Sequence, residues 1–179
     1  RTITGYDVGI KYNVDSSFGN FNMALNGDRT LKFVEDAGRD ALTLVNAGAD
    51  PSVLGTAVGD IVGTTSIPQW QATASLKWNS DDKLWRAGLF VKYVGEVDNT
   101  SVSITVDEKT FFYEMKAQTR ANVYVTRRDF MGYENLSLSF GINNIFDQDP
   151  PLADTTFGYD GSLHSSRARY FYTTASFSF

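Results

Sequence analysis

Residues 167–179 read R-A-R-Y-F-Y-T-T-A-S-F-S-F, and this stretch decides the fold. Every second residue, counted back from Phe179, belongs to a face of Phe, Ala and Thr, while the residues between them are Tyr, Thr and Ser. An alternation with period two is typical of a β-strand that has two different environments. A long aromatic strand of this kind at the end of a chain is typical of the closing strand of a bacterial outer-membrane barrel.

The composition restricts the class of protein. The 179 residues are 42% hydrophobic and 21% charged, and no window approaches the run of about eighteen apolar residues that a membrane helix needs. The net charge of -5 argues against nucleic acid as a partner, because that binding depends on cationic side chains. Without cysteine the chain has no thiolate metal site, disulfide or thiol nucleophile. A membrane β-barrel is compatible with this composition, because apolar and polar residues alternate along its strands and an average of hydropathy does not reveal the apolar face.

The same alternation predicts six further strands. They are expected at 2–14, 19–33, 68–79, 84–97, 113–126 and 135–144. The second strand is the least regular, because Asn26-Gly27-Asp28 also suits a hairpin turn. The links after strands one, three and five are short and the others are long, as in outer-membrane barrels. The predicted fold class is therefore all-β, with about seven antiparallel up-and-down strands that form the C-terminal part of a transmembrane β-barrel.

Large aromatic residues occur eight positions apart on one face of two neighbouring predicted strands, at Trp70 and Trp78 and at Trp85 and Tyr93. At ~3.3 Å per residue and a tilt near ~40°, this spacing covers roughly 20 Å, close to the apolar band of ~25 Å in such barrels. We expect these rings at the two membrane interfaces. The alternative is a soluble β-sandwich, a binding or adhesion module in which the same rings fill the core.

Residues 139–151 read S-F-G-I-N-N-I-F-D-Q-D-P-P, and a closing aromatic strand follows. This string resembles the end of TonB-dependent outer-membrane receptors, in which the penultimate strand commonly reads G-[VI]-N-N-[LI]-F-[DN]. The resemblance is specific over residues 136–179. The residues also have a physical explanation, because Asn143-Asn144 suits a strand exit that needs a positive φ, and Pro150-Pro151 cannot continue a β-ladder.

The resemblance implies a barrel of about 22 strands that is plugged by an amino-terminal domain. Such a receptor imports a nutrient, such as a siderophore, vitamin or oligosaccharide, with energy passed through TonB. Residues 1–179 would be the C-terminal segment of that barrel, without the plug domain, in the bacterial outer membrane. The implied partners are outer-membrane lipid and lipopolysaccharide, the TonB system through the plug, the barrel-assembly machinery and a small-molecule nutrient. The implied assembly signal falls on Tyr170, Phe171, Phe177 and Phe179.

Ligand contacts are expected near the outer mouth of the barrel. The polar and aromatic residues nearest to it in the last long link are Tyr159, His164, Arg167 and Arg169. We expect no cofactor and no bound metal. Four aspartates in the same link offer oxygen ligands to calcium, but their spacing fits no EF-hand, so a solvated acidic loop is preferred.

A small outer-membrane barrel enzyme is the remaining alternative. His164 is the only histidine, and Ser162, Ser165 and Ser166 lie close to it in sequence. A hydrolytic triad needs a nucleophile, a base and an orienting group that converge in space. Crowding within one loop does not predict such convergence, so no catalytic residue is expected.

Overall fold

One antiparallel sheet contains all seven predicted strands. The computed structural model describes residues 1–50, 59–64 and 67–178, so Phe179 and part of the link after the second strand lie outside the described residues. An α-helix, α1 (Arg39–Asn46), and a 3-10 turn (Phe130–Gly132) lie in the links. The described strands are β1 (Thr2–Ser16), β2 (Gly19–Glu35), β3 (Gly59–Asp60), β4 (Trp70–Asn79), β5 (Trp85–Val94), β6 (Val97–Val106), β7 (Lys109–Met115), β8 (Gln118–Arg127), β9 (Leu136–Asn143) and β10 (Tyr170–Phe177).

The strand order is β1-β2-β4-β5-β8-β9-β10, and the short β3 pairs with the end of β2. Main strands that follow one another along the chain are therefore neighbours, which confirms the all-β class and the up-and-down order. The sheet is open, because β1 and β10 each keep one edge without a partner strand in the described part of the chain. We call the end of the sheet with the long links the mouth end and the opposite end the turn end.

β2 runs without interruption through Asn26-Gly27-Asp28. Gly27 pairs with Val8 on β1 and with Ala72 on β4, so both edges of the strand are occupied there. A hairpin turn at this point would have to break both ladders. The strand interpretation is therefore confirmed, and the hairpin alternative is wrong.

The predicted strands 84–97 and 113–126 are each shorter in the structure, because a separate hairpin begins between them. β5 ends at Val94, and β6 and β7 form a two-stranded sheet of their own before β8 begins. The Gly95 N–H donates to the Trp70 carbonyl at 2.8 Å, and a Cβ on Gly95 would lie 2.9 Å from the same oxygen. This bond extends the β4–β5 pairing by one residue, to the first residue of β4. Beyond it, β6 and β7 pair with each other and not with the strands of the main sheet.

One apolar row crosses all seven main strands. Its members are joined by the strand register and, except for Leu89, each alternates with at least one polar neighbour on the opposite face. They are Tyr12, Met23, Leu76, Leu89, Val123, Ile142 and Phe171. Tyr12 is 59% exposed and Phe171 is 63% exposed, so nothing in the described residues covers this face. A β-sandwich would need a second sheet against these rings, and the described residues place none there.

The buried apolar cluster is small and lies at the mouth end. Val97 and Met115, at the base of the β6–β7 hairpin, pack with Ala153 and Leu163 from the link between β9 and β10. No helix in the described ranges is long and apolar enough to cross a membrane. The buried apolar cluster therefore lies where the β6–β7 hairpin meets the link between β9 and β10, while the apolar face of the main sheet stays uncovered.

Candidate binding site

The link between β9 and β10 (residues 144–169, the β9–β10 loop) begins at Asn144. This residue is fully buried and has a φ of 52°, a left-handed conformation that Asn tolerates better than most residues. The positive φ that the sequence predicts for the Asn143-Asn144 pair is thus found at Asn144. Its backbone N–H donates to Asn122 Oδ1 at 2.9 Å, which fixes the start of the loop to β8.

The Asn144 side chain also joins the two ends of the β9–β10 loop. Its Nδ2 donates to the carbonyls of Gln148 and Arg167, both at 3.1 Å, and its Oδ1 accepts from the Gln148 N–H at 3.2 Å. Asp147 accepts from the backbone N–H of Arg169 at 2.8 Å and forms an ion pair with its guanidinium at 3.3 Å. The loop therefore leaves and rejoins the sheet as one closed unit.

β8 holds the returning half of this loop over the polar face of the sheet. The Gln118 amide donates to the Ser165 carbonyl and accepts from the Ser165 N–H, both at 3.3 Å. Arg120 Nη2 donates to the Arg167 carbonyl at 3.0 Å. These three hydrogen bonds fix the height of the loop above β8.

A cavity of about 170 Å³ lies between the polar face of the sheet and the β9–β10 loop. Lys92 of β5 and Arg120 and Asn122 of β8 line it from the sheet, and Leu163 and Ser165 line it from the loop. Lys92 and Arg120 stand directly opposite each other in the β5–β8 register. The sheet side of the cavity therefore carries two cationic side chains, beside Phe90, Val94 and Gln118.

The comparisons with known proteins identify the fold. No protein-family model matches the chain, and no curated protein matches it significantly. Among solved structures, a mutant ferric enterobactin receptor from Pseudomonas aeruginosa has a TM-score of 0.58 and 17% identity over 99% of this chain and 22% of that chain. A complex of the same receptor with enterobactin gives a TM-score of 0.57 at 17% identity, with the same coverage of both chains.

The copper transporter OprC is also similar, with a TM-score of 0.52 and 19% identity over 99% of this chain and 24% of that chain. The chain has a TonB-dependent receptor-like fold. At these identities the likeness establishes the fold. The chain spans about a fifth of the length of the first of these solved structures, since 22% of that chain is covered.

The four residues predicted to face a ligand lie at different places in the β9–β10 loop. Tyr159 is half-buried, and its hydroxyl accepts from Ser166 Oγ at 3.0 Å. Arg167 is exposed and supplies its carbonyl to the anchor described above, and the exposed Arg169 is held by Asp147. The structure therefore uses the two arginines to hold the loop, and their contact with a ligand stays a prediction.

His164 is the most enclosed of these four residues. It is 4% exposed, and neither ring nitrogen has a hydrogen-bond partner. Burial lowers the pKa of His164, and the charge of Lys92 lowers it further, while the nearby Asp160 carboxylate opposes both. Because burial and Lys92 outweigh Asp160, the imidazole is neutral at neutral pH.

The serines beside His164 have other partners. Ser162 Oγ donates to Asp160 Oδ1 at 2.6 Å, and Ser166 donates to Tyr159. Neither hydroxyl is therefore placed as a nucleophile activated by His164, which a hydrolase would need.

Two of the four aspartates considered for calcium, Asp147 and Asp160, are likewise engaged with protein groups.

Three of the four residues of the implied assembly signal lie on β10, and the fourth, Phe179, lies outside the described residues. Phe171 and Phe177 project from the apolar face, where Phe171 stacks on Phe140 with 6.3 Å between ring centroids. Tyr170 lies on the other face, beside Tyr172 at 6.4 Å. Recognition of these residues by assembly machinery stays a prediction.

The sequence places Lys92 and Arg120 in the polar, inward-facing row of their strands, but it did not predict that they line one cavity. Their pairing depends on the register between β5 and β8. That register cannot be read from either strand alone, because the β6–β7 hairpin separates them. Asn144 had a recognisable signal in its motif, although its hydrogen bonds required the folded loop.

Proposed function

We propose that this chain is the C-terminal barrel segment of a bacterial outer-membrane receptor. The complete receptor takes up a small-molecule nutrient and is energised through TonB by way of its plug domain. Outer-membrane lipid surrounds the apolar face, and the β9–β10 loop contributes to the ligand-binding mouth. The nutrient class of this proposal is a siderophore, vitamin or oligosaccharide.

The uncovered apolar row is the single observation that carries this proposal. The row consists of seven residues, one from each main strand, on the same face of the sheet. Each of them is exposed or half-buried. A soluble protein rarely leaves so continuous an apolar surface open to water. Hydrocarbon tails are the solvent that satisfies such a face in a sheet of tilted strands.

Aromatic and cationic side chains at both ends of the sheet support the same environment. At the mouth end, the Arg29 guanidinium lies 4.7 Å from the Trp70 ring centroid, and Tyr6 meets that ring edge-on at 6.4 Å. At the turn end, the Arg127 guanidinium lies 5.1 Å from the Trp85 ring. Rings with a polar edge and long cationic side chains both favour the interface between lipid and water.

The uptake function is supported by the fold alone. Of the three similar solved structures reported above, two are described as a ferric enterobactin receptor and one as a copper transporter. The present chain carries the same fold with an anchored loop at its mouth end. A receptor for a scarce nutrient is the function that this combination supports best.

The membrane environment is tested first by sedimentation. We expect the 179-residue chain to self-associate in plain buffer, because its apolar face and two strand edges are open. It should become a small, defined species in detergent micelles. A folded monomer in buffer without detergent would contradict the proposal.

Uptake is tested on the complete gene product. Deleting the gene should abolish energy-dependent uptake of one labelled compound from a panel of siderophores, cobalamin and oligosaccharides, and the intact gene should restore it. A second strain that lacks TonB should show the same defect. Uptake of every compound at wild-type rates in the deletion strain would reject the proposed function.

A further inference from the structure

Lys92 and Arg120 form a pair of like charges across neighbouring strands. They are direct partners in the register, and both line the cavity beneath the β9–β10 loop. Like charges placed directly opposite each other destabilise a sheet. Lys92 is exposed and Arg120 is half-buried, so an anion bound between the two side chains would relieve this repulsion.

The described residues do not supply that anion. Their ion pairs involve Arg1 and Arg169 as cations, and neither of these residues lines this cavity. The buried carboxylate of Asp160 in the same loop accepts from Ser162 and interacts with His164. The charges of Lys92 and Arg120 thus have no carboxylate within ion-pair distance in the described part of the chain.

The hydrogen-bonding groups around the cavity give the chemistry of the missing partner. Arg120 donates one Nη to the Arg167 carbonyl, but its Nε is buried without an acceptor. A buried donor of a charged group that lacks an acceptor is costly. The hydrogen-bonding capacity of the Arg120 guanidinium is therefore only partly satisfied within the described residues.

The amides of the cavity wall have their acceptor oxygens already occupied. Gln118 Oε1 accepts from the Ser165 N–H, and Asn122 Oδ1 accepts from the Asn144 N–H. The polar groups of the wall are therefore mainly donors, from the Lys92 ammonium, the Arg120 guanidinium and the Asn122 amide NH₂ group. They stand beside the apolar side chains of Phe90, Val94 and Leu163. Carboxylate and phosphate oxygens are the acceptors that match two cations and an amide.

We propose that this cavity binds one oxyanion group, a carboxylate or a phosphate. Its volume of about 170 Å³ suits a single small anion or one anionic group of a larger molecule. The inference rests on the proposed function in one respect, because it makes an anionic nutrient the favoured ligand. The same chemistry could come from a carboxylate side chain of another segment of the complete receptor, and the experiment separates these two sources.

The experiment uses the complete receptor, purified in detergent micelles, with citrate and inorganic phosphate as probes and triethyl citrate as the uncharged comparison. Isothermal titration calorimetry compares the wild type with the double variant Lys92→Gln plus Arg120→Gln. The matched control is Lys77→Gln plus Arg86→Gln, which removes the same charge from the same face outside the cavity. A conservative variant, Lys92→Arg plus Arg120→Lys, checks that the fold tolerates substitution.

We expect citrate or phosphate binding to weaken about tenfold or more in the Lys92 and Arg120 glutamine variant, because charge-assisted hydrogen bonds are lost. The control and conservative variants should stay within about threefold of the wild type, and triethyl citrate should not bind. Equal weakening in both glutamine variants would overturn the proposal, because it would indicate only general attraction to a cationic wall.

When the wild type binds neither probe, thermal unfolding shows whether the anion in the cavity is a carboxylate of the receptor itself. A carboxylate of the receptor itself would already fill the cavity, so the single variant Lys92→Gln, which keeps the hydrogen bond from Arg120 to the Arg167 carbonyl, would unfold at a lower temperature than Lys77→Gln. If the cavity held no anion, Lys92→Gln would be as stable as the wild type or more stable, since it removes repulsion, and the proposal would be overturned. Nutrient uptake that fails while citrate binding persists counts against the proposed function alone.

Discussion

Asn144 is the residue on which the geometry of the β9–β10 loop depends. We expect Asn144→Ala to release this loop, because the carbonyls of Gln148 and Arg167 lose their donor and alanine is strained at a φ of 52°. The expected cost is about 2–4 kcal/mol, from unsatisfied buried groups and backbone strain together. Trypsin should then cut after Arg167 and Arg169 much faster than in the wild type.

Two control variants separate the causes of that release. Asn143→Ala alters the neighbouring residue, which lies in β9, and should leave the cleavage rate nearly unchanged. Asn144→Gly relieves the backbone strain but not the lost hydrogen bonds, so its cleavage rate should fall between those of the wild type and Asn144→Ala. Equal protection of all four proteins would show that Asn144 does not anchor the loop.

His164 makes stability depend on pH within a narrow range. Its pKa is lowered in the folded chain, mainly by burial, so the unfolded chain binds a proton more readily. Stability should therefore be complete above the unfolded pKa of about 6.5 and should fall as the pH drops towards the lower folded pKa. Because His164 is the only histidine, few other groups titrate between pH 5 and 7.

Urea unfolding in micelles at pH 7 and pH 5 measures this dependence. The wild type should lose stability on acidification, whereas His164→Gln should show a smaller change between the two pH values. If His164→Gln is as sensitive to pH as the wild type, the histidine is not the group responsible. The sequence marked His164 only as a candidate ligand contact, because burial is a property of the folded loop.

At the scale of elements, alternation predicted most strands to within a few residues. The strand expected at 68–79 is β4 (Trp70–Asn79), and that expected at 135–144 is β9 (Leu136–Asn143). Alternation succeeds because each strand has one apolar and one polar face. It fails at the end of β5, which was expected to continue to Val97, because the pairing with β4 ends at the bond from Gly95 to Trp70, the first residue of β4. This end depends on the partner strand and has no local signal.

The turn of the β6–β7 hairpin offers a test at the same scale. Asp107 and Glu108 have φ values of 49° and 63° between the paired residues Val106 and Lys109, which corresponds to a two-residue type I′ turn. Glutamate is poorly suited to this conformation, and Asn-Gly is the favoured pair. We expect Asp107→Asn plus Glu108→Gly to stabilise the hairpin by about 1 kcal/mol.

Amide hydrogen exchange in β6 and β7 measures that gain. Exchange in the hairpin should slow by roughly fivefold in the double variant, since this factor corresponds to about 1 kcal/mol. Amides of β4, which lies in the main sheet, serve as an internal control and should not change. Faster exchange in the hairpin of the variant would contradict the assigned turn geometry.

At the scale of the whole molecule, the sequence predicted which residues share a face of the sheet, but not whether the sheet closes into a barrel. The faces follow from the period of two within each strand, so the row from Tyr12 to Phe171 could be predicted from local patterns. Closure depends on the number of strands and on their shear. The figure of about 22 strands therefore comes from the resemblance alone, while the described sheet remains open between β1 and β10.

Two adjacent residues of β4 test which face of the whole sheet meets lipid. Leu76 lies in the apolar row, paired with Met23 and Leu89, and Ser75 lies on the polar face, paired with Ala24 and Phe90. A lysine on the lipid face near the bilayer midplane costs about 2–4 kcal/mol, whereas a lysine on the lumen face can stay hydrated. Leu76→Lys should therefore reduce folding of the complete receptor into phospholipid vesicles, measured by heat-modifiable migration on gels, and Ser75→Lys should fold nearly as well as the wild type. The reverse result would mean that the two faces are assigned the wrong way round, because the same charge is added one residue apart and only its direction differs.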